Sequence, residues 1–309
     1  MQVVPPPLLW RFSRRYIAGS RLDDAYAVVG RLNAQDRCSA TIDVLGEDSV
    51  DREQVGDAQS LYLEALRGIQ ERGLDCGISV KLSEMGLRFD AAGCREVMRG
   101  LAGDARERGL YLRIDMEDSS VTSATLDVYR ELRRGFDNVG IVIQSCLRRS
   151  ERDVAGLIEE GIADVRLCKG IYVEPEDIAY RDPAGIDASY LRLLTRLVES
   201  DAARVGIATH DPRLVAAAEA LIRRHALPKE RYEFQMLLGV ATRLRRELVA
   251  RGHPLRVYVP FGERWHAYSM RRLRENPQIL GHVVRNLFTP GEPQRERARG
   301  NPIHREGNA

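Results

Sequence analysis

The sequence is short of lysine, cysteine, aromatic residues and long apolar runs, and each shortage excludes something. No stretch of the 309 residues is apolar enough for a membrane span and no tract is repetitive or low in complexity, which points to a soluble globular protein. With 44% hydrophobic and 30% charged residues, the chain can bury a large core, enough for one big α/β barrel or two ordinary domains. The five cysteines (Cys38, Cys76, Cys94, Cys146, Cys168) are odd in number and scattered. They form no CxxC pair and no histidine stands at zinc spacing, so we expect neither a disulfide framework nor a metal site, and a reducing compartment. The net charge of +2 recommends neither nucleic acid nor metal storage. The N-terminus lacks the apolar core and cleavage site of a secretory signal, which makes the cytoplasm the expected location. Dinucleotide (GxGxxG), phosphate-loop and GxSxG signatures are missing as well. Lysine is so scarce, with only Lys81, Lys169 and Lys229 in an arginine-rich chain, that the position of each is informative.

Eight short apolar segments recur with helix-like stretches between them: ATIDVLGE (40–47), CGISVKLS (76–83), YLRIDME (111–117), VGIVIQ (139–144), DVRLCKG (164–170), VGIATH (205–210), YEFQMLLG (232–239) and RVYVPFG (256–262). They are rich in Val and Ile, and several follow a glycine that closes a charged helical stretch. Eight βα units predict a (βα)8 TIM-like barrel, with N-terminal helices and a C-terminal helix over the barrel mouth. The expected division is an N-terminal helical segment over 1–39, the barrel over 40–289 and a disordered tail over 290–309, where turn formers and charges leave little to bury.

Active sites of such barrels lie where the strands end at the C-terminal face, so the polar residues closing each run are the candidates. They are Glu47, Lys81, Asp115 and Glu117, Gln144, Arg166 and Lys169, Thr209 and His210, Gln235, and Tyr258. Any one of them, like Ser83 or Asp211, has an ordinary use as a helix cap. Lys81 and Arg166, however, sit inside apolar runs, where an unpaired charge is costly and must find a partner or a ligand. Beyond the eighth run, GERWHAYSMRRLRENP reads as a helix stopped by Pro277, with Tyr268, Arg271, Arg272 and Glu275 on one face. The choice there lies between a solvated basic helix and a lid that brings two guanidiniums to a small carboxylate. The residues alone therefore point to an anionic small substrate or a phosphate-bearing cofactor. Two alternatives stay open: a Schiff-base aldolase or lyase with Lys81 as nucleophile, and a non-catalytic anion-binding barrel.

The motifs IDVLGE, SVKLS, RIDMED, GIVIQS, VRLCKGIY, IATHD, YEFQMLLG and YVPFG, followed by YSMRRLRE, resemble proline dehydrogenase, in order and over nearly the whole chain. The length resembles the monofunctional bacterial form. The resemblance implies an FAD-binding barrel that oxidises L-proline to Δ1-pyrroline-5-carboxylate and passes electrons to a membrane quinone. It further implies pyrroline-5-carboxylate dehydrogenase as a partner, no nucleic acid, and a cytoplasmic location with contact at the inner face of the cell membrane. It places Lys81, Arg271 and Arg272 on the proline carboxylate, with Glu275 on the same substrate-binding helix, and Tyr268 and Leu167 around the ring. Tyr258 closes the pyrrolidine side and bonds Asp115. Gln144, Arg166, Lys169, Gly170, Tyr172, Thr209, His210 and Gln235 become flavin contacts, with Arg166 near N5. Lys81, Asp115, Arg166 and Tyr258 form the catalytic set. Cys168 and Ile171 depart from the Val and Ala usual at those positions, and Ile171 crowds the site if it faces the substrate.

Overall fold

The computed structural model describes residues 14–46 and 48–265. Its eight strands, β1 (Ser39–Val44), β2 (Cys76–Val80), β3 (Leu112–Ile114), β4 (Val139–Gln144), β5 (Asp164–Cys168), β6 (Arg204–Ala208), β7 (Tyr232–Leu237) and β8 (Leu255–Phe261), run parallel in chain order. The sheet closes because β1 pairs with β8, Ser39 facing Arg256 and Val44 facing Phe261. The eight segments read from the sequence are these strands, because a parallel barrel strand is covered on both sides and stays apolar nearly throughout. The strands end earlier than the apolar runs do. Lys81, Asp115, Glu117, Lys169, Thr209 and His210 all lie just past a last strand residue, on the loops that form the C-terminal face.

Eight helices are described: α1 (Leu22–Asp36), α2 (Arg52–Glu71), α3 (Ala91–Glu107), α4 (Thr122–Arg133), α5 (Ser150–Glu159), α6 (Pro183–Glu199), α7 (Pro212–Arg224) and α8 (Thr242–Ala250). The first precedes the barrel and packs on β1 and β8. It is tied down by the ion pair of Asp36 with the buried Arg245, at 2.6 Å. Helices α2 to α8 follow β1 to β7 and cover the outside of the barrel with Tyr62, Leu66, Tyr129, Tyr190 and Leu194, all fully buried. Asp182–Pro183 and Asp211–Pro212 start α6 and α7: the aspartate accepts from a backbone N–H of the first turn while proline takes a position whose N–H has no helical partner. Asp211 is thus a helix cap as well as a residue of the mouth. The expected tail over 290–309 lies outside the described residues.

The N-terminal half of the barrel interior is filled with charge. Arg113 of β3, Asp164 of β5, Arg204 of β6, Glu233 of β7 and Arg256 of β8 meet there. Arg113 Nη2 lies 3.0 Å from Asp164, Arg256 Nε 2.8 Å and Arg204 Nη2 3.4 Å from Glu233. Arg113, 2% exposed, also donates to the carbonyls of Ile141 and Asp164. Room for its guanidinium comes from Gly140, where a Cβ would stand 2.3 Å from Nη1.

Candidate active site

Above that layer, a cavity of about 620 Å³ opens at the C-terminal face. Its polar lining comes from Asp43, Lys81, Asp115, Glu117, Gln144, Arg166, Lys169, Thr209, His210, Asp211, Gln235 and Tyr258, and its apolar wall from Met116, Val142, Ile171, Ala208, Met236 and Leu237. The candidates that the strand ends suggested therefore converge, with the exceptions given below.

Arg166 is the hub of the floor. Its Nε donates to Gln235 Oε1 at 2.5 Å and its Nη1 to Asp115 Oδ1 at 2.8 Å and Ser79 Oγ at 3.2 Å. Asp115 in turn accepts from Ser79 Oγ and, on its other oxygen, from the Tyr258 hydroxyl, both at 2.7 Å. The guanidinium carbon stands 5.2 Å from the centre of the Tyr258 ring. Burial, and the carboxylates of Asp115 and Asp43, hold the Tyr258 phenol well above its ordinary range, so it stays protonated and donates.

Lys81 emerges from β2 and pairs with Asp43 of β1, which is 1% exposed. Burial acts to lower the Lys81 ammonium, but Asp43, Asp115 and Glu84 outweigh it and hold the group above its ordinary range. A lysine kept protonated in this way is a fixed cation and a poor nucleophile, which turns the site away from Schiff-base chemistry.

On the far wall, Gln144 donates through Nε2 to the Glu117 carbonyl at 2.8 Å, which aims its oxygen elsewhere. Glu117 is held by the backbone N–H and hydroxyl of Ser83. His210 Nε2 accepts from the Leu237 N–H at 2.9 Å, so the neutral ring carries its proton on Nδ1. Gly170 has φ +98, and a Cβ there would come within 2.4 Å of Cys146 Sγ, so the loop after β5 requires glycine at this point. Lys169 lies between Asp187 at 2.6 Å and Asp211 at 3.3 Å, and its charge is already matched by carboxylates. Burial raises the thiols of Cys168 and Cys146 to about 12 and about 11, so neither is a thiolate near neutrality.

Two of the expected site residues stand apart from the lining of this cavity. Leu167 is fully buried and does not line the cavity: on β5, Arg166 and Cys168 point inward, and the two-residue period of a strand turns Leu167 out to the helices, where the Tyr190 hydroxyl bonds its carbonyl. Tyr172 is 36% exposed and stands outside the cavity lining, on the loop that also exposes Ile171 and Val173. Glu47, Tyr268, Arg271, Arg272 and Glu275 lie outside the described residues. The sequence reading also passed over Asp43, Ser79, Met116 and Leu237, all parts of the floor or wall. For Asp43 a signal existed, since Ser39, Thr41 and Asp43 are polar at alternate positions of β1, with Ala40, Ile42 and Val44 between and after them.

With this geometry in place, comparison with known proteins is decisive. The family model described as proline dehydrogenase matches residues 27–285. This chain belongs to the proline dehydrogenase family. It is accordingly an oxidoreductase acting on proline, in proline catabolism. The chain is 32% identical to proline dehydrogenase 1 of Bacillus subtilis over 276 residues, covering 89% of this chain and 90% of that one. With proline dehydrogenase of Deinococcus radiodurans the figures are 31% over 285 residues and 91% of each. Among solved structures, proline utilization A (PutA) from Bdellovibrio bacteriovorus inactivated by N-propargylglycine superimposes with a TM-score of 0.82 at 28% identity. The match covers 90% of this chain and 34% of that one, so the chain spans about a third of the length of that PutA. A second PutA, with proline bound in remote sites, shares the fold with a TM-score of 0.71 at 22% identity. Among the described residues of this family member, no helix is long and apolar enough to cross a membrane.

Proposed function

We propose that this proline dehydrogenase uses FAD, converts L-proline to Δ1-pyrroline-5-carboxylate, and delivers its electrons to a quinone at the membrane surface. The observation that carries the reading is Arg166, a cation fixed by Gln235, Asp115 and Ser79 on the cavity floor, whose Nη2 makes no hydrogen bond among the described residues. A flavin ring is flat and apolar with a polar edge. The residues fit one: Met116, Val142, Ala208, Met236 and Leu237 supply apolar wall, Arg166 supplies an open N–H edge, and Gln144 and Thr209 supply further polar atoms. Lys169, matched by two carboxylates, fits a phosphate less well than a free lysine would. When bound, FAD supplies the acceptor for the hydride leaving proline C5.

The remaining work falls to the chain. Proline loses a hydride from C5 and a proton from nitrogen, and a C=N bond forms, so the amine must enter the step neutral. Lys81, kept as an ammonium by Asp43, gives the substrate carboxylate a fixed positive partner, to which we add the guanidiniums of Arg271 and Arg272, with Glu275 as a further substrate-binding residue of the same segment. Asp115, with both oxygens engaged by Ser79, Arg166 and Tyr258, is best suited to hold those three side chains still. The apolar wall excludes water, which strengthens each of these interactions. Arg166 then faces whatever negative charge develops beside it, a preorganised role that costs nothing at the moment of reaction.

The test is the visible spectrum of the purified protein before and after anaerobic addition of L-proline. Flavin absorption that bleaches with proline is the expected result. A colourless protein that cannot be reconstituted with FAD overturns the reading, and borohydride trapping of a carbonyl substrate on it would restore the Schiff-base alternative.

A further inference from the structure

The amide of Gln235 has two different ends, and only one of them suits Arg166. An amide oxygen accepts from a guanidinium N–H, whereas an amide NH2 placed there sets donor against donor. Gln235 therefore needs something that distinguishes its ends, and Glu233, two residues earlier on β7, supplies this: Gln235 Nε2 donates to Glu233 Oε1 at 2.6 Å. A carboxylate only accepts, so it can hold the NH2 end and never the oxygen. Glu233 is in turn fixed by Arg256 Nε at 2.8 Å and Arg204 Nη2 at 3.4 Å. An independent feature accommodates the same amide. Gly206 of β6 lies beside it, and a Cβ at that position would stand 2.4 Å from Gln235 Nε2 and 2.9 Å from its amide carbon. Alanine at 206 cannot coexist with Gln235 in this place.

We propose that Glu233 is a positioning residue for the redox site: it sets the orientation of the Gln235 amide, which presents its oxygen to Arg166 Nε and turns the free Nη2 edge of Arg166 toward the cavity. The ion network in the lower half of the barrel thus reaches the chemistry through one side-chain amide, with Gly206 as the space that admits it. The proposal rests on the reading above that Arg166 faces bound flavin.

The experiment measures the two-electron midpoint potential of bound flavin, together with the melting temperature, in the wild-type holoenzyme, in Glu233→Gln and in Gly206→Ala. The first variant lets the amide lie either way, and the second displaces it without changing any charge. Because both loosen a cation that favours the anionic reduced cofactor, each should shift the oxidised-to-reduced equilibrium about tenfold toward the oxidised form, about 30 mV more negative. A merely structural role for Glu233 would lower the melting temperature and leave the potential where it was. Should Glu233→Gln fail to fold, Gly206→Ala decides alone. Wild-type protein that binds flavin, with folded variants whose oxidised-to-reduced equilibrium is unchanged, overturns the proposal and spares the functional reading. Wild-type protein that binds no flavin overturns both.

Discussion

Glu233 and Glu84 are almost equally buried, 5% and 4% exposed, and their carboxyls are driven in opposite directions. Burial pushes both up. At Glu233 it is outweighed by Arg256, Arg204 and Arg113, and the group falls to about 2. Glu84 has the Tyr62 hydroxyl at 3.1 Å and feels Lys81 only as a charge nearby, so burial wins and the group rises to about 7. Whether a touching cation has been provided, rather than depth, decides the outcome. The same distinction separates the two halves of the barrel interior. In the lower half each carboxylate meets two arginines; in the upper half Arg166 and Lys81 have one partner set each and keep an edge toward the cavity. The lower half is built for fixity, the upper half for a ligand.

The largest effect we expect comes from breaking the fully paired lower half. Arg113→Met removes a fully buried cation, leaves Asp164 with Arg204 alone and takes a donor from two carbonyls, a change of the class that costs about 3–5 kcal/mol. For a chain of this size that lowers the melting temperature by on the order of 10 °C. Denaturant unfolding at unchanged slope measures it, and a loss under about 1 kcal/mol would mean that the lower network is not a coupled unit.

In the upper half the balance should invert. Arg166→Met leaves Asp115 with two donors, Ser79 and Tyr258, so the stability loss should stay under about 2 kcal/mol. Proline oxidation, in contrast, should fall by about 10²-fold or more, the range seen when one preorganised charge-stabilising donor is deleted. Steady-state kinetics at saturating proline, run beside a melting curve, separate the two effects. A stability loss as large as that of Arg113→Met would erase the distinction between the halves.

Much of this architecture was legible in the sequence, and the reasons for the rest are physical. The eight strands could be read because burial on both faces keeps them apolar, and the polar residues ending them could be read because they interrupt that pattern. Leu167 stands apart from the cavity lining because its neighbour Arg166 faces the cavity, and adjacent residues of a strand point to opposite sides. Asp43 is marked only by its alternation with Ser39 and Thr41 among Ala40, Ile42 and Val44, a signal that closes no run. The lower network left no local mark at all. Arg113, Asp164, Arg204, Glu233 and Arg256 come from five strands, each looks like an ordinary charge at the start of a run, and only closure of the barrel joins them. The Glu233–Gln235–Arg166 chain was partly visible, since Glu233 and Gln235 are two apart on one strand and must share a face, but nothing nearby in sequence names Arg166 as the third member.

The smallest effect, and the sharpest test of the contrast between the two glutamates, is a pH dependence. Glu84 titrates near 7 in the folded protein against an ordinary value of 4.5. Between those two values the folded state holds a proton that the unfolded chain has released, so folding takes up a proton and stability falls as pH rises through that window, levelling off above about 7. Glu84→Gln keeps the shape and the hydrogen-bonding capacity toward Tyr62 but cannot ionise. It should therefore gain on the wild type as pH rises, by about 1–3 kcal/mol at pH 8 relative to pH 5. The corresponding Glu233→Gln change has the opposite sign: a group at about 2 contributes stability that is present above its unfolded value and lost only as pH falls toward the folded one. Melting temperatures of the two variants and the wild type from pH 3 to pH 8 test both signs, Glu233→Gln below pH 5 and Glu84→Gln above it. Parallel curves for Glu84→Gln and wild type would show that Lys81 reaches Glu84 more strongly than its geometry indicates, and that the upper half of the barrel is as fully paired as the lower.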